Sequence, residues 1–279
     1  MNTDTQRARA EAFLALHHGD APLILANAWD AVSARIFARA GFAAIASTSA
    51  GIAWSLGYPD GEVIPRDEMI AAVGRIVRAV DLPVTADLES GYGPSVDDVA
   101  ETARLAIGVG AVGMNLEDGR HGDAASGDPL NPLDEQVERV AAARAAADSA
   151  GMPFVLNART DVFLRQVGAA EGRLRAAVER ANAYRAAGAD CLFVPGVVDA
   201  GTIGALVREI DGPLNILAGP GVPTVAELTR LGVARVSVGG GPLRMALGAV
   251  AAASADLLQS GRYDAIFAGG IPYAELNLR

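Results

Sequence analysis

Short apolar runs recur along this chain, and each is followed, across a loop, by a stretch with helical spacing. The runs at 23–26, 43–46, 83–86, 112–116, 154–158, 191–194, 214–217 and 235–238 read as strands. Helical patterns follow at 31–40, 66–80, 96–107, 133–150, 171–187, 200–210, 225–231 and 243–258, with a long loop expected between the second strand and residue 66. Asp30 and Ser95 stand where N-caps belong, and Gly41, Gly151, Gly188 and Gly232 where helices stop. Strict strand–helix alternation demands parallel pairing with helical crossovers. Eight such units in 279 residues close naturally into a single (β/α)8, TIM-type barrel, a fold of roughly 250 residues. The expected organisation is one barrel domain over 1–279, with an N-terminal helical extension at 1–20 and a C-terminal extension at 259–279.

Composition narrows the function. An apolar fraction of 51% against 20% charged residues suits a chain that buries a large core. Lys and Arg number 23 against 33 Asp and Glu, a net charge of −10, and no basic cluster stands out. Nucleic acid is therefore not an expected partner, because binding to its backbone needs clustered positive charge. The single cysteine, Cys191, excludes an intramolecular disulfide framework and a cysteine-rich zinc site. The polar N-terminus lacks a signal-peptide core, and no apolar stretch is long enough to span a bilayer. The expected setting is the cytoplasm, with no membrane contact.

In a barrel of this kind, catalytic groups sit where strands end and βα loops begin. The third strand leads into Asp87-Leu88-Glu89-Ser90-Gly91-Tyr92-Gly93 and the fourth into Glu117-Asp118. Acidic groups at adjacent strand ends need a cation or heavy solvation to coexist. A hard cation such as Mg²⁺ prefers such oxygen ligands, which makes Asp87, Glu89 and Glu117 candidate metal ligands. Other strand ends supply Asn27-Ala28-Trp29-Asp30, Ser47-Thr48-Ser49, and Arg159 with Asp161. The loop at 118–131 is long, polar and glycine-rich, in the manner of a lid. Within it His121 is expected to face solvent, His17 and His18 to lie on the surface, and Cys191 to pack in the core. Trp29 is either core filling or a pocket wall. The turns at 219–221 and 239–241 are possible phosphate holders on barrel geometry alone.

Taken together, Asn27-Ala28-Trp29-Asp30, Ser47-Thr48-Ser49, Gly57-Tyr58-Pro59-Asp60, Asp87 to Gly93, Leu116-Glu117-Asp118 and Asn157-Ala158-Arg159-Thr160-Asp161 resemble the isocitrate lyase/phosphoenolpyruvate mutase superfamily. The resemblance runs from about residue 20 to 250. It implies a Mg²⁺-dependent barrel (Mn²⁺ as substitute) acting on a small 2-oxo acid, and a homotetramer with C-terminal helices exchanged between subunits. It also implies that Asp87, Glu89 and Glu117 hold the metal and that Asp60 lies near it. Arg159 then takes the substrate carboxylate, Ser47, Thr48 and Ser49 hold the oxo-acid, and Trp29 and Asp87 complete the expected substrate-binding set.

Departures from the family pattern select among reactions. Lyases of the family carry a Lys-Cys-Gly-His type loop, where this chain reads Gly119-Arg120-His121-Gly122. The phosphonopyruvate enzymes favour Glu-Asp-Lys, where this chain has Glu117-Asp118-Gly119. By elimination the expectation is an oxaloacetate decarboxylase-like C–C lyase working through an enolate, with Asp60, Glu117 and Arg159 as its catalytic groups. The alternatives are phosphonomutase or phosphonopyruvate hydrolase chemistry on a P–C bond, and an inactive barrel that serves as a binding protein.

Overall fold

The structure, a computed structural model, describes residues 2–122 and 127–277. Residues 123–126 of the long loop lie outside the described residues. All eight expected runs form strands: β1 (Leu23–Ala28), β2 (Ile45–Ser47), β3 (Val84–Asp87), β4 (Gly113–Glu117), β5 (Val155–Arg159), β6 (Cys191–Phe193), β7 (Leu214–Leu217) and β8 (Arg235–Ser237). They pair in sequence order, all parallel, and β8 returns to β1 with Leu23 opposite Arg235 and Leu25 opposite Ser237, closing the barrel.

Between the strands run α2 (Ala31–Arg39), α4 (Arg66–Ala79), α5 (Val96–Gly108), α6 (Leu133–Ser149), α7 (Arg173–Ala186), α8 (Ala200–Glu209) and α9 (Val225–Leu231), while α1 (Thr3–Ala15) precedes β1. Their starts follow the caps read from sequence. Asp30 and Ser33 form a reciprocal capping box on α2, and Ser95 and Asp98 do so on α5, each satisfying donors that a bare helix end leaves orphaned. Alanine lets α5 and α6 approach closely, with Ala103, Ala106, Ala143 and Ala147 all buried between helices and barrel. Residues expected as loop after β2 instead form α3 (Ser49–Ser55), capped by the Thr48 hydroxyl, which accepts from Gly51 N–H at 3.3 Å. Seven residues including a glycine leave too short a periodicity to stand out.

His17 also differs from expectation. It is buried, with Nδ1 2.8 Å from the Phe13 carbonyl, its ring edge-on to Phe13, and Nε2 3.5 Å from Arg235. Burial and the Arg235 charge push its pKa down to about 3. Cys191 is fully buried as expected, and burial pushes its thiol up to about 12.

The chain divides into two compact units. Met1–Gly239 contains the barrel and α1 to α9; Gly240–Arg279 contains α10 (Gly241–Ser260), α11 (Asp264–Phe267) and α12 (Tyr273–Leu276). The second unit leaves Met245, Leu258, Phe267 and Tyr273 largely exposed, at 74, 88, 74 and 85%. No described helix is long and apolar enough to cross a membrane.

Candidate active site

Side chains alternate across a strand, so each strand sends every second residue into the barrel. Parallel register places Asp87 of β3 beside Asn115 of β4, and Glu117 of β4 beside Arg159 of β5. Asp87 Oδ1 accepts from the Asn115 amide at 3.1 Å. Its Oδ2 accepts from the Ser49 N–H at 3.1 Å and the Ser49 hydroxyl at 3.0 Å. Asn115 is itself aimed from below: its carbonyl oxygen accepts from Asn157 at 2.7 Å and from Arg235 at 3.4 Å. Arg235 is fully buried in the barrel, 5.9 Å above the Phe13 ring.

Glu117 is buried, with Oε2 2.6 Å from Arg159 Nη1 and Oε1 2.9 Å from His121 Nε2. Arg159 grips Asp161 at two points, Nε to Oδ1 at 2.6 Å and Nη2 to Oδ2 at 3.0 Å. These contacts use three of its five N–H donors, so two remain for a further anion. Its guanidinium lies 5.7 Å from the centre of the Phe193 ring. Burial opposes its charge, yet Glu117 and Asp161 hold its pKa above the ordinary arginine range. The neighbouring carboxylate, Asp118, turns the other way and is structural. It accepts from Tyr184 at 2.7 Å, from Asp161 N–H at 2.8 Å and from Arg180 at 3.2 Å.

Glu89 follows β3 in the left-handed region, at φ 51°, and its carboxylate is buried. Burial first, then the charges of Glu117 and Asp60, push it up to about 8. Burial, and then Asp87, raises Asp60; burial raises Glu117 against the pull of Arg159. His121 goes the opposite way to a simple buried histidine: burial lowers it, but its hydrogen bond to Glu117 and the charges of Glu117 and Glu89 raise it on balance.

Ser49, Asp60, Glu89, Glu117 and Arg159 line one cavity of about 240 Å³, together with Gly61, His121, Asp161, Leu164 and Arg165. Asp87 stands behind Ser49, to which it is bonded. The remaining sequence candidates lie outside its wall. The Ser47 hydroxyl accepts from Asp87 N–H at 2.8 Å, and the Thr48 hydroxyl is taken by its helix cap. Trp29 packs against Phe37 with ring centres 6.3 Å apart. Gly239 N–H donates to Asn27 Oδ1 at 2.9 Å, so that turn serves barrel closure. His121 faces the cavity rather than solvent. Its one legible signal is its place four residues after Glu117, in a loop that Gly119 and Leu130 fold back by an antiparallel bridge.

Among the described residues no three His, Cys, Asp or Glu side chains form a ready-made ligand cluster. The donor chemistry nevertheless suits a hard divalent ion. Mg²⁺ keeps several waters and takes only one or two carboxylates directly, and the cavity gathers four carboxylates, Asp60, Glu89, Glu117 and Asp161, against Arg159 and Arg165. Three of these acids, Glu89, Glu117 and Asp161, are buried and Asp60 is exposed; their like charges repel one another, and a cation relieves that repulsion.

A family model for phosphoenolpyruvate phosphomutase matches residues 13–258. The chain belongs to the isocitrate lyase/phosphoenolpyruvate mutase superfamily. A 2-methylisocitrate lyase of Escherichia coli is 33% identical over 224 residues, covering 80% of this chain and 70% of that protein. An oxaloacetate decarboxylase of Chromohalobacter salexigens is 32% identical over 248 residues, covering 86% of this chain and 82% of that protein. Among solved structures, a Burkholderia cenocepacia protein classed as a lyase/mutase superposes with a TM-score of 0.90 at 42% identity, covering 98% of this chain and 96% of that one. Members of this superfamily are lyases and mutases that work with a divalent metal.

Proposed function

We propose that this chain is a Mg²⁺-dependent lyase that cleaves a C–C bond of a small 2-oxo acid through an enolate, most simply an oxaloacetate decarboxylase. The observation that carries this reading is the pairing, in one small cavity, of buried Glu89 and Glu117 and the more exposed Asp60 with Arg159. At about 240 Å³ the cavity falls below the roughly 300–1,000 Å³ of sites for drug-sized ligands, which suits a substrate of a few carbons.

Asp87, Glu89 and Glu117 are the residues that would hold the cation. When bound, it supplies Lewis-acid stabilisation of charge developing on the keto oxygen. The two unused N–H donors of Arg159 bind the C1 carboxylate, and Asp161 keeps the guanidinium plane from turning. The C3–C4 bond then breaks, carbon dioxide leaves, and its electron pair passes to C3 and the keto oxygen. His121 Nε2 and Glu117 Oε1 hold a proton between them at 2.9 Å on the same wall. Arg165 is engaged with Asp161 Oδ2 at 3.1 Å and the Arg120 carbonyl at 2.6 Å. A phosphonate dianion would thus find little spare positive charge, which supports C–C over P–C chemistry.

The test is pyruvate formation from oxaloacetate in a coupled assay, with free-metal decarboxylation subtracted. Activity should appear with Mg²⁺ or Mn²⁺, vanish with chelator, and be lost in Asp87→Ala and Glu117→Ala. Turnover that survives metal removal overturns the mechanism. A changing phosphorus NMR spectrum with phosphonopyruvate would transfer the site to P–C cleavage, and tight oxalate binding without turnover of any 2-oxo acid would make it a binding protein. The working form in this proposal is a cytoplasmic homotetramer. The exposed Met245, Leu258, Phe267 and Tyr273 of the second unit support exchange of that unit between copies.

A further inference from the structure

Two loops grip each other beside the cavity. Glu62, between α3 and α4, accepts at Oε1 from the Ser90 N–H at 2.8 Å, the Ser90 hydroxyl at 2.7 Å and the Tyr92 N–H at 3.0 Å. Its own N–H donates to Glu89 Oε2 at 2.7 Å, and the Tyr92 hydroxyl donates to Glu89 Oε1 at 3.3 Å. The contacts close a ring: Glu62 holds Tyr92, Tyr92 holds Glu89, and Glu89 holds Glu62.

All three residues of the ring lie in the left-handed backbone region, at φ 58°, 51° and 60°. Side chains with a Cβ avoid that region, and such strain persists only where the surroundings over-determine it. Among the described non-glycine residues only Gln166 shares it. Strain is therefore concentrated where the two loops meet. The Glu62 segment also carries Asp60 and Gly61, both on the cavity wall, whereas Glu62 is not itself on that wall.

We propose that Glu62 is a positioning residue for the cation site. Its carboxylate locks the turn after β3 so that Glu89 presents its own carboxylate to the cavity, and it fastens the Asp60 segment alongside. Removing the acceptor frees the Ser90 and Tyr92 N–H groups, and Glu89 then loses the constraint that keeps it left-handed. This inference rests on the reading of Glu89 as a cation-holding group. The rival explanation is a carboxylate that merely stabilises a loop, which would affect melting alone.

Mn²⁺ alone, titrated into folded wild type, Glu62→Gln, Glu62→Ala and Glu89→Gln and followed by electron paramagnetic resonance, separates these. Partners that orient metal ligands typically contribute roughly 10–100-fold to affinity. Glu62→Ala should fall in that range and Glu62→Gln below it, since Gln keeps one acceptor oxygen. The Ser90 and Tyr92 amides should exchange hydrogen faster in Glu62→Ala. If Glu89→Gln weakens Mn²⁺ binding but Glu62→Ala binds within about twofold of wild type, the positioning role is wrong and the cation site stands. If wild type fails to bind Mn²⁺, or Glu89→Gln binds as wild type does, the cation site falls and the positioning role with it. Should Glu62→Ala not fold, Glu62→Met decides, since it keeps most of the side-chain bulk but has no oxygen to accept from Ser90 and Tyr92, with affinity within about twofold of wild type the refuting result.

Discussion

Glu89 turns the cavity into a liability for the metal-free protein as pH rises. Its ordinary pKa of 4.5 is pushed up to about 8 in the folded state, so between those values the native chain holds a proton that the unfolded chain has released. Stability from this source is complete below about 4.5, declines as pH rises, and is gone above about 8. Asp60, Glu117 and His121 are raised as well and act in the same direction. At about 1.4 kcal/mol per pKa unit the limit for Glu89 is about 5 kcal/mol, and sharing the repulsion with Glu117 gives a range of roughly 2–5 kcal/mol. For a chain of this size that corresponds to a fall in melting temperature on the order of 10 °C. The perturbation is Glu89→Gln, a near-isostere that fits because the Tyr92 hydroxyl can turn from donor to acceptor. Chelator-treated wild type, melted from pH 5 to 8, should lose stability steeply, and Glu89→Gln should lose much less. Adding Mg²⁺ or Mn²⁺ at pH 8 should restore wild type but not the variant. Parallel melting profiles for the two metal-free proteins would refute the reasoning.

Arg159→Lys keeps a positive charge near Glu117 but loses the two-point grip on Asp161; KM for the 2-oxo acid should rise roughly tenfold or more, since a charge-assisted hydrogen bond contributes about 1.5–3 kcal/mol. Asp118→Ala removes the acceptor of the Tyr184 hydroxyl and of the Asp161 N–H and the carboxylate paired with Arg180, which keeps only the Asn131 carbonyl and the Tyr184 hydroxyl, a cost of about 3–5 kcal/mol in urea unfolding. Gly91→Ala places a Cβ 2.8 Å from a Val99 methyl at a backbone φ of +103°. It should destabilise by about 1–3 kcal/mol and, by disturbing the turn that bears Glu89, weaken Mn²⁺ affinity in the same preparation.

The barrel was legible because its signals are local. Eight apolar runs, the Asp30 and Ser95 caps and the carboxylates at 87, 89 and 117 can each be read within a few residues. The outward turn of Asp118 against the inward turn of Glu117 also follows from strand alternation. What stayed hidden depends on contacts distant in sequence. Glu62 meets Ser90 across 28 positions, and no pattern around Gly61-Glu62-Val63 marks it as more than a turn residue. His121 is brought inward by the pairing of Gly119 with Leu130, although its polar surroundings read as solvent-facing. His17 is buried because Arg235, 218 positions away, reaches it inside the barrel. For α3 the signal was present, in the Thr48 cap, but too short to compete with a loop reading.

The Arg235–Asn115–Asp87 chain has an implication for protein engineering. Asn115 can aim its amide at Asp87 only while Asn157 and Arg235 occupy its carbonyl oxygen. Grafting the loops of this site onto a barrel with a hydrocarbon interior would transfer Glu89 and Arg159 yet leave Asp87 without its support from beneath. The portable unit is therefore the loops plus the polar column under them, and a redesign that swaps only the rim should bind its cation poorly even with every rim residue in place.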